Sequence, residues 1–135
     1  MTRTNIFELD YKILLPLLNN IQLKSLKVSA ISMDLIHVLL ERYTNSMVEL
    51  LIDNEGIEIL TEFYLVCKKE DIKLNTIKLL SLISEAEDYS TIIIEKISKE
   101  FISSCYEDVF AKNKNLAGEV LAFFQILLRN KEFGK

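Results

Sequence analysis

The sequence predicts an all-α fold, a compact right-handed helical bundle built from repeats. Three observations carry that prediction. Half of the 135 residues are hydrophobic, yet the chain holds one Pro and three Gly, fewer turn formers than strand-rich or disordered chains carry. Apolar residues recur at helical spacing along most of the length. Three segments, MDLIHVLLER (Met33–Arg42), IKLLSLISEA (Ile77–Ala86) and LAFFQILLRN (Leu121–Asn130), start 44 residues apart each time.

At that offset Leu35, Leu79 and Phe123 coincide, as do Ile36, Leu80 and Phe124, then Leu39, Ile83 and Leu127. Polar positions coincide as well: His37, Ser81 and Gln125 share one site, Glu41, Glu85 and Arg129 another. With Asp34 and Lys78 they make a polar stripe along one helix face, and the remaining faces predict burial. A helical period of this length lies in the armadillo/HEAT range. Each unit reads as a long buried helix followed by two shorter ones. Two full units, the first helix of a third and an N-terminal helix fit the chain. That is one domain, residues 1–135.

The elements follow in order. IFELDYKILLPLLNN opens the chain as a helix, with Asn5 as its cap and Pro16 kinking or splitting it. After the first long helix, Ser46-x-x-Glu49 has the form of a capping box and predicts a helix start. Asp53-Asn54-Glu55-Gly56 breaks the chain, because Gly and Asn tolerate positive φ. Ile57, Leu60, Phe63, Tyr64 and Cys67 then fall at helical spacing, and NSMVELLI recurs as YSTIIIEK at the same offset. Ile94, Ile97, Phe101, Cys105 and Val109 mark a further apolar face, and NKNLAGEVLAFFQILLRNK (Asn113–Lys131) closes the chain as a helix.

Composition narrows function. No apolar run approaches the roughly 20 residues of a membrane span, and Met1–Asp10 lacks the apolar core of a signal peptide. A soluble intracellular protein is expected. The net charge of −4 argues against a general nucleic-acid binder. Cys67 and Cys105 have no CxxC spacing and read as small buried hydrophobes. His37 is the only histidine and lacks catalytic partners, and no phosphate loop, HExxH or paired metal spacing occurs. No enzymatic activity, cofactor, metal or small-molecule substrate is expected.

Charge is unevenly spread. Glu49, Asp53, Glu55, Glu58 and Glu62 form an acidic stretch, while Lys68, Lys69, Lys73, Lys78, Lys112 and Lys114 fall in two basic segments. If these lysines meet in space, they rim a groove between helices suited to a short amphipathic or acidic peptide. Tyr64 and Tyr106 are the aromatics expected to reach the surface there, each burying a ring and keeping its hydroxyl wet.

Three stretches carry a family resemblance, covering about Leu35 to Leu128. NKNLAGEVLAFF resembles the closing motif of Iws/Spn-type transcription elongation factors through Asn113, Lys114, Leu116, Ala117 and Gly118, with Phe124 where that family has Trp. LLIDNEGIEILTEFYL is similar to an earlier segment of the family through Asp53, Asn54, Gly56 and Ile57. IKLNTIKLL is similar to a third, with Lys73 on its Arg and Lys78 on its Lys. The family's W-x-R-P ending is replaced by Phe124-Gln125-Ile126-Leu127, and Ser98–Ser103 stands where a Gly-rich segment is usual. The resemblance implies a TFIIS N-terminal-domain-like fold and a nuclear protein of RNA polymerase II elongation. Its partner would be a short N-terminal segment of the histone chaperone Spt-six, anchored by phenylalanine. A generic armadillo/HEAT adaptor for a chaperone or trafficking protein is the alternative.

Overall fold

The computed structural model describes residues 12–22, 24–86 and 89–129, and all regular structure among them is helical. Helix α1 covers residues 12–19. Then come α2 (Leu26–Arg42), α3 (Thr44–Asp53), α4 (Gly56–Val66), α5 (Glu70–Ser84), α6 (Ser90–Lys96), α7 (Lys99–Asp108) and α8 (Lys114–Leu128). The three long helices start at Leu26, Glu70 and Lys114, so the 44-residue offset of the apolar pattern is also the spacing of helix starts. A long helix followed by two shorter ones occurs twice.

Equivalent helices stack. Helix α5 lies between α2 and α8, and α4 lies against α7 in a second layer. The Thr76 hydroxyl of α5 sits 3.3 Å from the Met33 sulfur of α2. The Asn113 N–H at the head of α8 donates to Glu70 Oε2 at the head of α5 (3.1 Å). The long helices therefore run in the same direction, with their N-terminal ends along one edge. Between the layers, Tyr64, Phe101 and Phe123 form an edge-to-face row with ring centres 5.2 and 5.9 Å apart. All three are fully buried.

Local chemistry sets the helix starts. Ser25 caps α2 by accepting from Val28 N–H (3.2 Å). The buried Ser29 hydroxyl accepts from Gln22 N–H (2.9 Å) and lies 2.8 Å from the Gln22 carbonyl, fastening the α1–α2 connection to α2. Ser98 caps α7 through Phe101 N–H, and Asn113 caps α8 through Asn115 and Leu116 N–H. Each cap satisfies amide donors that the helix itself leaves open.

Several expectations are corrected. The Ser46–Glu49 capping box is not made: α3 begins at Thr44, behind Tyr43, which makes no side-chain cap bond. Only Tyr43 separates α3 from α2, and its N–H is bonded to Leu39 O, so the first turn of α3 is set by the preceding helix. The apolar series Ile94–Val109 is split between α6 and α7 by Ile97 and Ser98. Of the two outcomes expected at Pro16, splitting does not occur, since residues 12–19 are one continuous helix; the cap expected at Asn5 lies outside the described residues. The polar stripe is exposed at Asp34, Lys78, Glu41, Glu85, Gln125 and Arg129, but Ser81 is buried because α5 has a long helix on both sides.

The break between α3 and α4 also works differently from its sequence pattern. The positive φ belongs to Glu55 (φ 60°), not to Gly56. Gly56 serves close approach: a Cβ there would meet Leu51 Cδ2 at 2.8 Å and the Leu51 carbonyl oxygen at 2.9 Å. Opposite effects are expected at adjacent positions. Gly56→Ala should cost about 1–3 kcal/mol through overpacking, whereas Glu55→Gly should add up to about 1 kcal/mol by relieving left-handed strain. Urea denaturation of both variants checks the pair, since an unstrained Glu55 would make Glu55→Gly neutral or destabilising instead.

Candidate partner-binding surface

The edge that carries the N-terminal ends of α2, α5 and α8 is also where most of the singled-out lysines gather. Lys68 and Lys69 precede α5, and Lys112 and Lys114 flank Asn113 at the head of α8. The two segments meet because the Asn113 backbone bonds Glu70 while its side-chain amide donates to Asp71 Oδ1 (2.9 Å). All four lysines are exposed and form no ion pair among the described residues. Glu70 and Asp71 favour the positive end of the α5 dipole. They are also occupied in holding the neighbouring loop.

Repeat symmetry adds a residue that sequence reasoning passed over. Lys24, Lys68 and Lys112 are 44 residues apart, and each stands two residues before a long helix. With interhelical distances of about 8–10 Å, they form a row along the edge. The signal was present in the same offset that revealed the helices.

Lys73 and Tyr64 do not join that surface. Lys73 Nζ binds Asp108 Oδ2 at 2.8 Å, with side-chain exposures of 14% and 16%. It also lies 4.8 Å from the centre of the Tyr64 ring. Tyr64, expected to keep a wet hydroxyl, is fully buried and donates that hydroxyl to the same Asp108 oxygen (2.5 Å). Burial first, and then the bond to Asp108, raise the Tyr64 pKa far above its usual range. The sequence pattern hid this because Tyr64 and Asp108 occupy equivalent positions in successive units. One unit places a phenol where the next places its acceptor. Lys78 is exposed too, but five positions beyond Lys73 it points about 140° away around α5.

The aromatic component is Tyr106 with a partner that sequence reasoning missed. Tyr106 is 61% exposed and Phe110 73% exposed. Their rings meet edge to face at 5.9 Å. Spacing i, i+4 at the end of α7 was the available signal. Phe110 is two residues from Lys112, within about 7 Å along the chain. A depression of about 330 Å³ lies between the end of the α1 region and α4, lined by Ile21, Gln22, Ile59, Glu62, Phe63 and Val66. Lys24 and Lys68 lie two residues after Gln22 and Val66 in the chain, and neither lines the depression.

Other candidate chemistry is plain. His37 stands on an open face of α2, its Nδ1 2.6 Å from Glu41 Oε1. Cys67 and Cys105 are free and buried, and burial pushes the Cys105 thiol up to about 12. Among the described residues no group of three or more His, Cys, Asp or Glu is placed to hold a metal. None of the helices searched there is long and apolar enough to cross a membrane. Compared with family models, curated proteins and solved structures, the chain matches none.

Proposed function

We propose that this chain is a non-enzymatic peptide-docking domain of armadillo/HEAT-like, TFIIS N-terminal-domain-like form. In the specific reading it is the core of an Iws/Spn-type elongation factor, nuclear, and bound to the N-terminal segment of Spt-six during RNA polymerase II elongation. The observation that carries the docking reading is the row of exposed lysines along one edge beside the solvent-facing Tyr106–Phe110 pair. Exposed aromatics supply anchor area for a partner, and unpaired ammonium groups attract and orient an acidic segment. The specific reading rests on the family-like stretches of the sequence, of which Asn113 caps α8 and Asp53–Gly56 span the α3–α4 junction.

A disordered peptide pays an ordering cost on docking, so modest affinity is expected, concentrated in a few anchors and weakened by salt. Lys73 is unsuitable for testing the rim because its charge reversal would break an internal ion pair. The variant to use reverses Lys68, Lys69, Lys112 and Lys114 to Glu. Titration calorimetry with a Spt-six N-terminal peptide should show binding to the native chain and at least about a tenfold loss in the variant. Tyr106→Ala or Phe110→Ala should cost about 2 kcal/mol if that residue is an anchor. Binding that ignores both sets of changes would refute this surface. No binding of the native chain to that peptide, with retained binding to an unrelated acidic aromatic peptide, would refute the elongation-factor assignment alone.

A further inference from the structure

The two end helices of the stack carry apolar faces that the fold leaves open, and the repeat shows what those faces fit. On α2, Val28, Ile31, Leu35 and Val38 are 42–51% exposed and lie within one stripe. Their equivalents 44 residues later on α5 are Ile72, Asn75, Leu79 and Leu82, none of them exposed, because that side of α5 meets α2. On α8 the open stripe is Leu121 (53% exposed), half-buried Phe124 and Leu128 (69% exposed). One repeat earlier these positions are Ile77, Leu80 and Ser84, on the helix that carries α8. Two repeats earlier they are Met33, Ile36 and Leu40, all buried.

Each open face is thus the continuation of an interface the molecule already forms twice, α2 on α5 and α5 on α8. The outer side of α8 has the register of a surface that receives a long helix. The outer side of α2 has the register of a surface that is received. Terminal repeats normally carry polar outer faces for solubility, and these do not. We infer that a second copy of this chain docks head to tail, with α8 of one copy against α2 of the next, so that the stack of long helices continues between molecules. The two surfaces differ, so the contact is heterologous and does not close at a dimer. A single helix pair falls below the roughly 1,200 Å² of standard stable complexes, so association should be weak and concentration-dependent. It uses helix faces distinct from the lysine edge and does not rest on peptide docking there.

Sedimentation velocity of the full chain across a dilution series tests this. The native chain should gain mass with concentration and pass beyond a dimer. Leu35→Glu alone and Leu121→Glu alone should each stay monomeric with unchanged circular dichroism, since both positions are about half exposed. An equimolar mixture of the two variants should form a dimer and nothing larger, because one retains a sound α8 face and the other a sound α2 face. A native chain that is monomeric at every concentration would overturn the inference. So would self-association of either single variant, which marks a two-fold contact, or a mixture that stays monomeric.

Discussion

Replacing Asp108 by alanine is expected to lower the unfolding free energy by about 3 kcal/mol, the scale for removing one member of a largely buried ion pair. The Asp108 oxygen receives both the Lys73 ammonium (2.8 Å) and the Tyr64 hydroxyl. Its loss strands a cation and a phenol that are both shielded from water, and each unpaired group keeps its desolvation cost. Repair should follow chemistry. Asp108→Asn keeps an acceptor for Tyr64 and should cost less than alanine. Adding Lys73→Met to the alanine variant should recover part of the loss, because it removes the stranded charge while keeping the apolar stem. Urea denaturation of the three variants gives the comparison. Equal stability of Asp108→Ala and the native chain would show that the cluster contributes little.

The same cluster predicts a decline in stability at alkaline pH. The Cys105 pKa rises from 9.0 to about 12 in the folded chain, mainly through burial, so its contribution is complete below pH 9 and is lost as pH climbs toward 12. Tyr64 is raised from 10.0 in the same sense, so its contribution begins to fall only above pH 10. Cys105→Ala should therefore delay the onset of the decline from about pH 9 to about pH 10.

How far these features were legible depends on whether one helix or two neighbours determine them. The long helices were legible because apolar spacing is a property of each segment, and the shared offset fixed their relation. The start of α3 was not, since the chain leaves α2 too abruptly for Ser46 to act as a cap. Exposure of Leu35, Leu121 and Leu128 was also invisible: α2, α5 and α8 share one apolar pattern, but only α5 has a long helix on both sides. The lysine edge was half legible. Lys68, Lys69, Lys112 and Lys114 gather as expected, whereas Lys73 is claimed by Asp108, an acidic residue that looks solvated in a linear reading. Phe110 was not legible because nothing in a linear apolar pattern marks which ring at a helix end stays in water.

Phe101→Ala is expected to be the most damaging single change, costing about 3–5 kcal/mol. Phe101 is fully buried on α7, between Tyr64 of α4 and Phe123 of α8. It therefore joins the first unit to the last helix, and alanine would open a void along both contacts that rigid neighbouring helices close only in part. Against a typical total of about 5–15 kcal/mol, that loss leaves the domain close to its unfolding threshold. Phe101→Leu, which fills most of the space, should cost distinctly less. Phe110→Ala, one residue type at 73% exposure, should lie within about 0.5 kcal/mol of the native chain. Thiol labelling provides a second readout, because Cys105 lies one turn after Phe101 on the same buried face. The native chain should resist labelling at neutral pH, while Phe101→Ala should label faster at Cys105 than at Cys67. A variant with native stability and a protected Cys105 would mean that the aromatic row fills space without holding the units together.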